Sequence, residues 1–94
     1  RYYTSIWVKS TGSEEQSPRL AIKWQAPRGG WVRGDASQMV MGQGNVGEWQ
    51  LLGVVVTVPD EAGRLIMLPR VKDQKPGDVA LFDDARILRI PDNL

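Results

Sequence analysis

Residues 48–58, EWQLLGVVVTV, decide the fold. Leu52, Val54, Val56 and Val58 form one stripe of alternate residues, and Trp49, Leu51, Val55 and Thr57 form the other. The segment is rich in β-branched and aromatic side chains and lacks helical spacing, so it reads as a strand with two largely apolar faces. Such a strand belongs to a stack of sheets, because a lone hairpin would leave both faces wet.

Working toward the C-terminus, residues 59–63 (PDEAG) make a turn, and residues 64–71 make a strand whose Pro69 demotes that end to an edge or a bend. A polar turn around Pro76-Gly77 leads into residues 79–90, VALFDDARILRI, the closing strand. Asp83 and Asp84 stand side by side within it. Burying a carboxylate costs several kcal/mol unless a cation or several donors compensate it. Either this strand carries a metal-binding or cap-like carboxylate, or an Asp reaches water at the sheet's edge.

Working toward the N-terminus, residues 27–47 are irregular and contain six glycines, with SQMVM (37–41) as a short strand. Within that stretch residues 42–47 match G-x-G-x-x-G. The match precedes a strand and opens no helix, so it is no phosphate cradle. Residues 19–25 form a strand with Leu20, Ile22 and Trp24 on one face and Ala21, Lys23 and Gln25 on the other. Residues 10–18 are a polar loop. In residues 2–9, Tyr2, Thr4, Ile6 and Val8 are the expected core face, opposite Tyr3, Ser5, Trp7 and Lys9. Six or so short antiparallel strands and almost no helical periodicity predict one all-β domain: an antiparallel β-sandwich of the jelly-roll kind.

Composition removes several chemistries. There are 94 residues, no cysteine and no histidine, which excludes disulfides, thiolate nucleophiles, serine–histidine triads and histidine-held zinc within the chain. Any metal would be held by oxygen, which means calcium or magnesium. Twelve Lys+Arg against 11 Asp+Glu, interspersed along the chain, argue against a nucleic-acid-binding role but leave room for one small basic pocket. No apolar run is long enough to span a membrane. The acidic pairs Glu14-Glu15 and Asp60-Glu61 fall in turns, where they read as solvated charges and not as a glycosidase acid and base set across a cleft. No catalytic residue is expected.

Three segments carry a resemblance. Tyr3-Thr4-Ser5-Ile6-Trp7-Val8-Lys9, Gly47-Glu48-Trp49-Gln50-Leu51-Leu52 followed by Val56-Thr57-Val58-Pro59, and Phe82-Asp83-Asp84-Ala85-Arg86-Ile87 resemble, in order and rough spacing, bacterial carbohydrate-binding modules of the cellulose- and xylan-binding type. The resemblance implies a galactose-binding-like jelly roll. It also implies a non-catalytic accessory domain of a larger extracellular or periplasmic protein, with a poly- or oligosaccharide as partner. It further implies that Asp83 supplies oxygen to a structural Ca²⁺. The opening strand of that family, which carries other calcium ligands, has no counterpart before Arg1, so an N-terminal strand is expected to be lacking.

Candidate ligand residues follow from the faces. Trp7 either stacks on a sugar ring, with Lys9 hydrogen-bonding beside it, or packs beneath the long loop. Trp31, after Gly29-Gly30, is either a ligand contact or a loop anchor. Gln25 and Arg28, with Arg33 near them, are the expected polar partners. Trp24 reads as core and Trp49 as an anchor of the sheet edge. The sequence thus predicts a sugar-binding sandwich using Trp7, Lys9, Gln25, Arg28 and Trp31. The alternative it leaves open is a structural or protein-interaction sandwich with no sugar site.

Overall fold

A computed structural model describes residues 1–43 and 47–91, apart from the side chain of Asp35. Residues 44–46 of the glycine-rich match fall outside the described residues. The chain forms strands β1 (Tyr2–Thr11), β2 (Ser17–Gln25), β3 (Gln38–Met41), β4 (Trp49–Val56), β5 (Arg64–Lys72) and β6 (Val79–Arg89), with a 3₁₀ turn at Gly34–Ala36. They make two antiparallel sheets: β4-β1-β6 (sheet A) and β3-β2-β5 (sheet B). The expected β-sandwich is what the chain builds. No helix among the described residues is long and apolar enough to cross a membrane.

The alternating pattern explains the layering. Each central strand turns its even-numbered residues inward. Ile6 and Val8 from β1, Leu20, Ile22 and Trp24 from β2, and Leu52 and Val56 from β4 are buried together, with Phe82, Met67 and Val40 packed at the margins. Thr4 and Ser10 also point inward, and both hydroxyls are spent on backbone carbonyls, of Val54 (3.0 Å) and Gln43 (2.9 Å). That removes the penalty of a buried unpaired hydroxyl.

β6 is an edge strand, and this answers the question posed by Asp83-Asp84. Ser5 pairs with Arg86 but Trp7 pairs with Asp83, so Asp84 and Ala85 together oppose Ile6 in a β-bulge. Asp84 adopts φ 52°, a left-handed conformation that aspartate tolerates better than most residues. Its N–H donates to Asp83 Oδ1 (2.8 Å), and Arg86 Nε donates to its carboxylate (3.1 Å). Both carboxylates are exposed. The bulge therefore carries them to water, and it also blunts the free edge of β6 against another strand.

Polar groups lace one end of the sandwich. The Asp78 carboxylate accepts from Ser13 Oγ (2.6 Å), Lys75 N–H (2.9 Å) and Ser13 N–H (2.8 Å), joining the β1–β2 loop to the β5–β6 loop. Gly12, at φ 123°, has Asp78 where a Cβ would stand. The Ser13 hydroxyl, then the two backbone amides, hold the Asp78 carboxyl below the ordinary aspartate range. A carboxylate with a depressed folded pKa stabilises above its unfolded value and loses that contribution as pH falls through the folded value. The stability gap between wild type and Asp78→Asn is therefore expected to be full at and above about pH 5 and to close below the usual aspartate pKa of ~3.9. Urea unfolding of both proteins at pH 7 and pH 3 measures it, and an equal gap at both values would refute it.

Candidate binding faces

The odd-numbered residues of β1 and β4, with Leu81 and Asp83 of β6 and, past the bulge, its even-numbered Arg86 and Leu88, build an outer face of sheet A that is mostly apolar. Its rows follow from the register: Val55, Tyr3 and Leu88; Gly53, Ser5 and Arg86; Leu51, Trp7 and Asp83; Trp49, Lys9 and Leu81. Trp7 is 37% exposed and Trp49 45%, while Leu51, Val55, Leu81 and Leu88 are about equally open. Trp7 and Trp49 are diagonal neighbours on adjacent strands, at roughly 7–8 Å between such positions. The Tyr3 ring lies across Gly53 and fills the space a side chain there would need. The face is therefore flat where tyrosine lies over glycine, and it rises to the tryptophans.

Lys9 stands between Trp49 and Leu81 and has no ion pair among the described residues. Asp83 stands beside Trp7 with one oxygen engaged by Asp84 N–H. These two adjacent rows place a donor and an acceptor beside exposed indoles on one sheet. Calcium takes six to eight oxygens. Among the described residues no group of three or more His, Cys, Asp or Glu gathers around Asp83 or elsewhere to hold one.

The remaining expected ligand residues sit on the other sheet. Residues 26–29 form a turn closed by Gly29 N–H to Ala26 O (2.9 Å), with Ala26 N–H bonded to Gly30 O (2.7 Å). The turn folds Trp31 back to bridge Gln25. Trp31 is 60% exposed on the outer side of sheet B, with Lys23 Nζ 5.7 Å from its ring centroid. That is within cation–π range. Lys23, Trp31, Val32, Gly34 and Ser37 line a depression of about 280 Å³. Arg28 is exposed at the turn, and Arg33 is bonded to Glu61 (2.7 Å).

The five expected ligand residues thus divide between two outer faces: Trp7 and Lys9 on sheet A, and Gln25, Arg28 and Trp31 on sheet B. Packed sheets lie about 10 Å apart with a core between them, so one small ligand cannot touch both sets. Trp49, expected as an anchor of the sheet edge, instead joins Trp7 and Lys9 on the open face of sheet A. The signal was available in the odd parity that Trp49 shares with Leu51 and Val55. What was missing was the pairing of Trp49 with Lys9.

Gly63 supports the Trp31 turn. Its N–H donates to Gln25 O (2.8 Å), and a Cβ there would stand 2.7 Å from Pro27 Cα. Backbone atoms cannot give way as a side-chain end can. Gly63→Ala is expected to cost about 1–3 kcal/mol, the usual range for overpacking, and to increase acrylamide quenching of Trp31. Thermal unfolding checks the first effect. Quenching compared with a Trp31→Phe background checks the second.

No protein-family model matches this chain, and no curated protein or solved structure matches it.

Proposed function

We propose that the protein is a non-catalytic binding module that takes a poly- or oligosaccharide on the outer face of sheet A. The observation that supports this reading is the pairing of half-open Trp7 and Trp49 with Lys9 and Asp83 on one rigid surface. Sugar rings present C–H patches to an indole face, and their hydroxyls need both donors and acceptors. Trp7 and Trp49 offer the stacking surfaces, Lys9 donates, and Asp83 accepts through its remaining lone pairs. The strands hold these groups in place before a ligand arrives, which lowers the ordering cost of binding. The module would work as part of a larger extracellular or periplasmic protein, holding it to a glycan while other parts act.

Affinity electrophoresis and calorimetry against a panel of neutral soluble polysaccharides test the reading. Binding to at least one, with a shift in tryptophan emission, is expected. A folded protein that ignores every glycan would count decisively against it.

A second reading is favoured by the aliphatic part of the same face. Leu51, Val55, Leu81 and Leu88 are exposed around the tryptophans. Contiguous apolar surface of this kind is also what a domain uses to dock on protein. Under that reading the tryptophan emission is unmoved by sugars.

A further inference from the structure

The charges of this chain are nearly balanced overall, yet the fold separates them. Sheet B contains five cationic residues and no acidic one: Arg19 and Lys23 on β2, and Arg64, Arg70 and Lys72 on β5. Register puts all five on the outer face, since Ser17 pairs with Lys72, Arg19 with Arg70, Lys23 with Ile66 and Gln25 with Arg64, while Leu20, Ile22 and Trp24 fill the core. None of the five has an ion-pair partner among the described residues.

At one end of this face the arrangement carries a cost. Arg19 and Arg70 stand directly opposite one another, and like charges so placed destabilise a sheet. Arg19 donates through Nη2 to Ser17 Oγ (2.7 Å), while its Nε is buried with no acceptor. Arg19, Arg70 and Lys72, with Met39 and Val71, line an open depression of about 370 Å³. An unneutralised cluster and an open depression of this size coincide there. An anion entering it would relieve the repulsion and offer the guanidinium groups an acceptor. The pair Lys23–Trp31 continues the face toward the other end of the sheet.

We infer that the outer face of sheet B binds an acidic polysaccharide, a chain bearing about one carboxylate or sulfate per sugar, with Arg19, Arg70 and Lys72 forming its primary anion subsite. The small number of cations, five over the whole face, favours a sparsely charged glycan over duplex nucleic acid. Cross-strand neighbours are about 5 Å apart and next-but-one residues on a strand about 6.7 Å apart. Duplex DNA carries a charge every ~1.7 Å and rewards far denser cation arrays. This site is separate from the Trp7 face and does not depend on it.

The test is calorimetry at low salt with polygalacturonate and with its fully methyl-esterified form, which keeps the sugar chain and removes the charge. The acid form is expected to bind, the ester is not, and affinity is expected to fall as salt rises. Arg19→Gln/Arg70→Gln should weaken binding about tenfold or more, given the loss of two charge contacts. If that pair of changes perturbs the fold, as read by circular dichroism, Arg64→Glu/Lys72→Glu at two exposed positions should weaken it similarly. Equal binding of acid and ester would overturn the inference, as would no binding at low salt or indifference to the substitutions in a folded protein. Tighter binding of single-stranded DNA than of polygalacturonate would reassign the face to nucleic acid and overturn it too.

Discussion

Trp24→Ala is expected to remove a large share of the stability of this domain. Trp24 is 3% exposed, packs in the cluster with Leu20, Ile22, Leu52 and Val56, and receives Val32 N–H at its carbonyl (2.9 Å). Truncating a buried tryptophan costs about 3–5 kcal/mol, through lost transfer energy and the cavity left behind. A domain of this length has roughly 5–14 kcal/mol in total. In urea the midpoint should fall by about 2 M with an unchanged slope. A shift under about 0.5 M would show that the side chain does not fill the core. The effect should reach Trp31 as well, because the Val32 bond ties the end of its turn to β2.

Trp7→Ala should behave in the opposite way. Its indole is open on the face of sheet A, and its removal should change the urea midpoint little. Binding should suffer instead. A sugar ring laid over Trp7 would cover roughly 80 Å² of aromatic surface. That corresponds to about 2 kcal/mol, or about thirtyfold in affinity. Trp49→Ala should produce a similar loss, and Trp31→Ala should not affect neutral glycans, because it lies on the other sheet. Calorimetry on the best ligand of the neutral panel measures all three. If Trp7→Ala binds as wild type does, the sheet A face is not the sugar site. If it instead loses only the association of this domain with a neighbouring protein, the docking reading gains.

Comparing the two tryptophans shows where sequence reading succeeds. Trp24 shares its parity with Leu20 and Ile22, and Trp7 has the parity opposite to Ile6 and Val8. In a strand free of bulges, parity alone assigns the face. The hydrophobic alternation of residues 2–9, 19–25 and 48–58 therefore gave the elements, their core stripes and the sandwich. Asp83-Asp84 was harder. The pair announced an irregularity, but its cause lies in β1, where one residue, Ile6, faces two on β6. A bulge is a property of a pair of strands and leaves little mark on either alone.

The functional surfaces divide in the same way. The sequence marked Trp7, Lys9, Gln25, Arg28 and Trp31 as candidates, and each described side chain reaches the surface at least in part. It could not say that they belong to two faces. Sheet membership depends on which strands pair, and here β1 pairs with β4 and β6 while β2 pairs with β3 and β5.

Local alternation by itself determined that this chain forms strands and which residues make their core stripes, because side-chain direction in a strand repeats every two residues; it left Trp7 and Trp31 open between the surface and a packed position. Only the tertiary structure decided who stands beside whom. Pairing set Trp49 next to Lys9, brought Asp83 beside Trp7, and drew Arg19, Arg70 and Lys72 together from segments about fifty residues apart. Neighbourhood across strands is fixed by register and sheet order, and no single segment contains that information.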